Sequence, residues 1–312
     1  MRSTIDNLEY RRMLDPQSPA DRVAYLEYMI DFYFKVMLAL KNVGFKSQFR
    51  AQMTSSLQMM FTKGKSICKL LEGYSQKCDS ITLFSQADHT ILFTIVRAAY
   101  EQLCTLELVY IIPDTDDKRV ILENAYVAAA QVNRLKAFTD EALSHYPREV
   151  AETRNDIECC RAEIRSTALY QSLTEKEKAN LEKTIFQEGK YQIVFTKDGK
   201  LLPHVSWDKV RDHCQLNTDA LYGFYKYACN MAHPSYLGLI QFHDAYKEGA
   251  IGDLNDTAVM QMIAMMSVYI MDFLEAYPEA KHVYDELDDE SHFMVRMYSE
   301  CFRNSSELTR KS

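Results

Sequence analysis

Glycine and proline are scarce in this chain, with nine glycines and seven prolines among 312 residues. Sheets and irregular loops need that punctuation, so long runs without either residue point to helices. The segment Met1–Glu9 has no apolar h-region, and no secretion signal is read there. The most apolar stretch, Ala258–Met271, falls short of the ~20 residues that a bilayer requires, so it reads as a buried core helix and no membrane partner is expected. None of the eight cysteines forms a Cys-x-x-Cys pair; free thiols and a cytoplasmic location are expected. No two histidines are three or four residues apart and no Glu-x-x-His occurs, which argues against a helical zinc or di-iron site. Gly-x-Gly-x-x-Gly, Gly-x-Ser-x-Gly, His-Glu-x-x-His and the P-loop are also missing. The expectation is therefore no metal and no cofactor.

What is present begins with charge. The formal net charge is −8, unevenly spread. Lys41–Lys77 holds seven basic residues against one acid, Glu72, whereas Asp244–Glu300 holds thirteen acids against three basic residues. A basic segment can be a footprint for RNA. These side chains do not form one narrow helical stripe, however. In an acidic chain the preferred reading is that the two segments neutralise each other, within the fold or across a dimer.

Along the chain, Ser18 followed by Pro19 predicts a helix start, continued by Tyr25, Met29, Phe32, Val36 and Leu40 to about Gly44. A second helix is read from about Phe45 to Tyr74, broken near Gly64, with its methionines as core filler. Ser85 or Asp88 opens a third, which stops before Pro113. Two heptad-like seams come next: Ile121, Ala125, Ala128, Val132, Leu135, then, after Pro147, Val150, Thr153, Ile157, Cys160, Ile164, Thr167. They predict an antiparallel, protruding helical hairpin over 115–170, serving either bundle packing or self-association. Thr174-Glu-Lys-Glu177 is a capping box. Tyr191–Thr196 and Leu201–Val205 flank Lys197-Asp-Gly-Lys200, the one clear β signal, and predict a β-hairpin insertion over 190–205 with Pro203 on an edge strand. Ser206 caps a helix holding Trp207, and Asn217 or Thr218 caps the helix that ends at His233. Two further helices flank Pro278, and a polar, frayed tail begins at Asn304. The expected fold is all-α: a multi-helix bundle with a protruding helical hairpin and one β-hairpin insertion, 1–312 forming a single domain.

Two separated segments read as halves of one polar site. Between His89 and Ile112 the only charged side chains are Arg97, Glu101 and Glu107, in an apolar surround that predicts a central helix. Arg97 and Glu101 are one turn apart. Burial of Arg97 without an acid would cost several kcal/mol, so Glu101 is its expected partner, and the cluster is expected to be buried. In the second segment Tyr225, Cys229 and His233 share one helix face, with Tyr222, Lys226 and Asn230 beside it. Pro234 ends the helix at His233, where the helix dipole favours a protonated ring. The catalytic candidates are thus Arg97, Glu101 and His233, and the ligand-binding candidates Tyr225, Lys226, Asn230 and Ser235. That inventory suits acid–base chemistry on a phosphodiester without metal. It equally suits a structural network that keeps two helices in register.

The Arg97-x-x-x-Glu101 helix, followed by Tyr225-x-x-x-Cys229-x-x-x-His233-Pro234-Ser235, resembles a bacterial all-helical family known as a domain of unknown function, over about Asp88–Phe242. Serine is expected where this chain has Cys229. The pattern is also distantly similar to the HEPN superfamily, which implies helical ribonucleases of toxin or antiphage defence systems. Their signature places arginine four to six residues before histidine. This chain has Lys226 ahead of His233 instead, and lysine lacks arginine's bidentate fork. The primary expectation is a helical interaction or regulatory protein, homo-oligomeric, with an RNA or protein partner and a buried Arg–Glu–His cluster. The alternative is a metal-independent HEPN-like ribonuclease using His233 and Arg97.

Overall fold

The computed structural model describes residues 18–303 except 46, 86, 197–200, 215, 217–220, 222 and 234. The turn at Lys197–Lys200, the cap at Asn217 or Thr218, Lys46, Tyr222, Pro234, the segment Met1–Glu9 and the tail from Asn304 lie outside the described residues. The fold is all-α with two small two-stranded sheets. The main helices in chain order are α1 (Pro19–Leu40), α2 (Gln48–Leu71), α3 (His89–Leu106), α4 (Asp116–Lys136), α5 (Pro147–Ser166), α6 (Phe224–Ala232), α7 (Tyr236–Glu248), α8 (Ile251–Ala276) and α9 (Asp289–Cys301). The chain packs as two compact units, Met1–Leu103 with Gln215–Ser312 and, as an internal segment, Cys104–Cys214.

In the first unit α8 is the core helix. It runs 26 residues and is long and apolar enough to cross a membrane by length and composition alone, yet 78% of its apolar window is buried inside the protein. It packs against α1, α2 and α9. Polar anchors fix these contacts: the Tyr33 hydroxyl donates to the Met266 carbonyl at 2.7 Å, and the Tyr277 hydroxyl to the Arg50 carbonyl at 2.9 Å. The Ser18 hydroxyl caps α1 as its sequence predicts, accepting from the Asp21 amide at 3.2 Å. The expected break at Gly64 does not occur. A Cβ there would sit 3.1 Å from Ile30 Cγ1 and from Met266 Sδ, so glycine lets α2 pass close to its neighbours while staying helical. The helix stops at Leu71 rather than Tyr74, before Gly73 at φ +69°. Beyond it lies a hairpin that the sequence reading does not contain: β1 (Tyr74–Cys78) pairs antiparallel with β2 (Ile81–Ser85).

The second unit is built on α4 and α5, which pack together as the helical hairpin expected over 115–170. Ile121, Ala125, Ala128, Cys160 and Ile164 from the two seams share one core cluster. The link between them holds a single helical turn, Asp140–Ser144, capped by Thr139. Thr174 and Glu177 form the predicted capping box. Ile193–Phe195 pairs with Leu201–Pro203, the expected β-hairpin. Arg211, only 6% exposed, is held by Asp208 at 2.9 Å and Asp212 at 2.7 Å.

The basic and acidic segments meet at Arg50, whose Nη2 lies 3.1 Å from Glu279 Oε2 and donates to the Ala276 carbonyl at 2.9 Å. The Arg50 guanidinium also lies 4.7 Å from the Tyr277 ring centroid, a cation–π arrangement.

Candidate functional site

The site lies within the first unit and is made by α3 and α6. Asp88 opens α3, its carboxylate accepting from the Thr90 amide at 2.8 Å. Leu92, Phe93, Val96, Ala99, Tyr100 and Leu103 are buried, which fixes the rotation of the helix. α6 docks on that helix through rings: Tyr225 stacks on Tyr100 at 5.1 Å, and Tyr227 meets Phe93 edge-on at 5.2 Å. The pairing brings Tyr225 and His233 to Arg97 and Glu101.

Three contacts define the cluster. Arg97 Nε donates to Glu101 Oε1 at 3.2 Å, the Tyr225 hydroxyl donates to the same oxygen at 2.7 Å, and Arg97 Nη1 lies 3.1 Å from His233 Nε2. A guanidinium offers only donors, so the last contact is attractive when Nε2 carries its lone pair and the ring proton sits on Nδ1. The helix ends where expected: His233 is the C-cap residue, with extended backbone at φ −107° and ψ 150°.

Electrostatics reinforce the arrangement. Burial raises the Tyr225 phenol well above its ordinary value, and its hydrogen bond to Glu101 and that carboxylate's charge raise it further, so Tyr225 stays a donor. Burial works against the charge on Arg97, but Tyr225, Cys229 and Glu101 outweigh it, and the guanidinium is held above its ordinary value.

The expectation of a buried cluster is met in part: the Arg97 and Glu101 side chains keep only 26% and 30% of their accessible surface, whereas His233 is exposed. The apolar surround predicts a helix covered on nearly every face, but Ile91 at 46% exposure and the exposed Thr94 and Ala98 reveal an open stripe beside Arg97. The pair is therefore reachable from solvent.

The ligand-binding candidates separate. Tyr225 belongs to the cluster. Ser235 is the N-cap of α7, its hydroxyl accepting from the Gly238 amide at 3.0 Å and donating to the Asn230 carbonyl at 2.8 Å. Asn230 is half-buried and contributes that carbonyl. Lys226 is exposed on α6 and makes no contact with the cluster among the described residues. Sequence reasoning missed Tyr100, the platform under Tyr225, although its place three residues after Arg97 was a usable signal. It also missed Lys63, whose ammonium donates to Gln102 Oε1 at 2.6 Å, while Gln102 Nε2 donates to the Ser56 carbonyl at 2.5 Å. Among the described residues no group of three or more His, Cys, Asp or Glu is placed to hold a metal ion.

Fold and site together define an all-α protein with a solvent-facing arginine–histidine pair braced by a carboxylate and a phenol. The chain belongs to the family of unknown function (DUF5677), whose model matches residues 67–250 and so includes every member of the cluster. No curated protein and no solved structure matches the chain.

Proposed function

We propose that the Arg97–His233 pair binds a phosphate group of RNA and cleaves the adjoining phosphodiester by acid–base chemistry that needs no metal. One observation carries this reading: an exposed imidazole whose Nε2 lies 3.1 Å from the Nη1 of an arginine. In the proposed reaction a non-bridging phosphate oxygen accepts from Arg97, and His233 Nε2 takes the proton of the ribose 2′-hydroxyl. The 2′-oxygen forms a bond to phosphorus, the bond to the 5′-oxygen breaks, and the imidazolium returns its proton to that oxygen. The products are a 2′,3′-cyclic phosphate and a 5′-hydroxyl. Glu101 acts through Arg97, fixing the guanidinium while Tyr225 fixes Glu101. The distant HEPN likeness supports this class of activity, and a cytoplasmic setting suits both the substrate and eight cysteines. The test is incubation of purified protein with RNA in chelator, for wild type, His233→Ala and Arg97→Lys, with melting curves alongside. Cleavage by wild type, lost in both variants at unchanged melting temperature, supports the reading. Cleavage that survives His233→Ala removes His233 from the chemistry, and an inactive wild type removes the activity.

A second reading, a helical interaction protein that self-associates, is favoured by α7. Tyr236 is 80% exposed and Leu239 64%, and Ile240 and Tyr246 are also exposed, so an apolar face of this helix is open to solvent. Its natural occupant in this reading is a second copy. Sedimentation of wild type and Leu239→Glu measures it: a wild-type oligomer that the charge splits is the expected result, and a monomeric wild type at every concentration rules it out.

A further inference from the structure

The link of the α4–α5 hairpin encloses a cavity of about 300 Å³ that no part of the proposed chemistry uses. Leu135, Leu143 and Val150 line it, and the buried Thr153 closes one side. The Thr153 hydroxyl is spent on the Glu149 carbonyl at 2.8 Å, so the interior is apolar. Phe138 and Tyr146 stand at its mouth, 57% and 61% exposed. Two opposite charges also line it, Arg134 from the end of α4 and Glu149 from the start of α5. Some charges on α5 are paired, as Arg148 is with Glu152 at 2.9 Å and Arg165 with Glu182 at 2.7 Å. Arg134 and Glu149 have no ion-pair partner among the described residues and are free to meet a ligand.

We infer that this cavity binds a free α-amino acid with a large apolar side chain. Its volume lies at the small end of ligand pockets, which span roughly 300–1,000 Å³. The apolar walls and the two rings take the side chain. Arg134 takes the carboxylate and Glu149 the ammonium, and this complementarity selects a zwitterion over a fatty acid, which Glu149 repels, or an amine, which Arg134 repels. The site lies wholly in the second unit and rests on nothing proposed for His233.

The experiment is calorimetric titration of the full chain with L-phenylalanine and L-leucine, and with the two half-analogues phenethylamine and 3-phenylpropanoate. We expect the amino acids to bind and each half-analogue to bind roughly tenfold or more weakly, the worth of one charge-assisted hydrogen bond. Arg134→Gln is expected to erase the preference for L-phenylalanine over phenethylamine, and Glu149→Gln its preference over 3-phenylpropanoate. Both side chains are exposed, so the melting temperature of either variant serves as the folding control. No binding up to the solubility limit, half-analogues that bind as well as the amino acids, or affinity indifferent to both substitutions overturns the inference.

Discussion

Arg97 Nη1 and His233 Nε2 meet at 3.1 Å across two helices that are 136 residues apart in sequence. Because arginine only donates, the contact selects the imidazole tautomer that carries its proton on Nδ1. Nitrogen-15 shifts of the His233 ring are expected to report that tautomer in wild type and a mixture in Arg97→Ala. Equal spectra for the two proteins would mean that Arg97 does not hold the ring. His233 is exposed, so His233→Ala is expected to change stability by no more than about 0.5 kcal/mol.

The brace behind that pair is Glu101, whose Oε1 accepts from both Arg97 and Tyr225. Tyr225→Phe keeps the ring stacked on Tyr100 and removes only the hydroxyl. Its expected cost is about 1.5 kcal/mol, the lower end of the net worth of a hydrogen bond to a charged group, because the site is only half-buried. Urea denaturation measures it. The same variant should also broaden the His233 ring signals, because a loosened carboxylate loosens the guanidinium; a change in stability alone would confine Tyr225 to packing.

Ser235 separates a cap from a ligand. Its hydroxyl satisfies the Gly238 amide at the start of α7. Ser235→Ala is expected to cost about 1 kcal/mol, as N-cap losses do, and Ser235→Asp, which can still cap, to recover most of it. A serine that contacts substrate would give the opposite pattern, with normal stability and lost activity in both variants.

What the sequence made legible was local. Ser18, Thr174 and Ser206 cap the helices expected of them, because a cap is decided within four residues. The paired seams of α4 and α5 were readable for the same reason: their period needs no knowledge of the rest of the chain. The β1–β2 hairpin was not. Its turn is Asp79-Ser80 rather than a glycine turn, and Asp79 adopts φ +51° without the usual marker residue. Periodicity likewise brought Tyr225 and His233 to one face but could not say that His233, at the helix end, would stay exposed while Arg97 and Glu101 are mostly covered. Long-range pairs such as Arg22 with Asp256 and Arg303 with Asp272 left no sequence trace, since either partner alone reads as an ordinary surface charge.

Two adjacent cysteines should differ sharply in reactivity. Cys159 is exposed, while Cys160 sits in the hairpin core. Burial, then the charge of Asp156, pushes the Cys160 thiol up to about 11. Only the thiolate attacks an alkylating reagent, so near neutral pH Cys160 has on the order of a hundredfold less reactive form than an ordinary thiol. Brief iodoacetamide treatment, followed by fragment mass spectrometry of the shared peptide, is expected to place the label on Cys159. Equal labelling would show that the hairpin opens on that timescale.

His89 gives the chain an acid-sensitive point. The ring is fully buried, stacked on Phe242 of α7 at 5.8 Å, and neither ring nitrogen has a hydrogen-bond partner among the described residues. Burial lowers its proton affinity, with the Asp88 charge pulling the other way. The folded chain therefore refuses a proton that the unfolded chain accepts below the ordinary imidazole value of about 6.5. Stability from this group is complete above that value and declines as pH falls through it toward the depressed folded value, because the unfolded state binds more protons there. His89→Phe keeps a ring against Phe242 and removes the titration. Denaturation midpoints at about pH 7 and about pH 5 are expected to drop for wild type and to drop less for His89→Phe. Carboxylates contribute the same background loss to both proteins, so the difference between the two slopes isolates His89. Parallel slopes would show that His89 takes up no extra proton on unfolding and that the carboxylates account for the whole acid response.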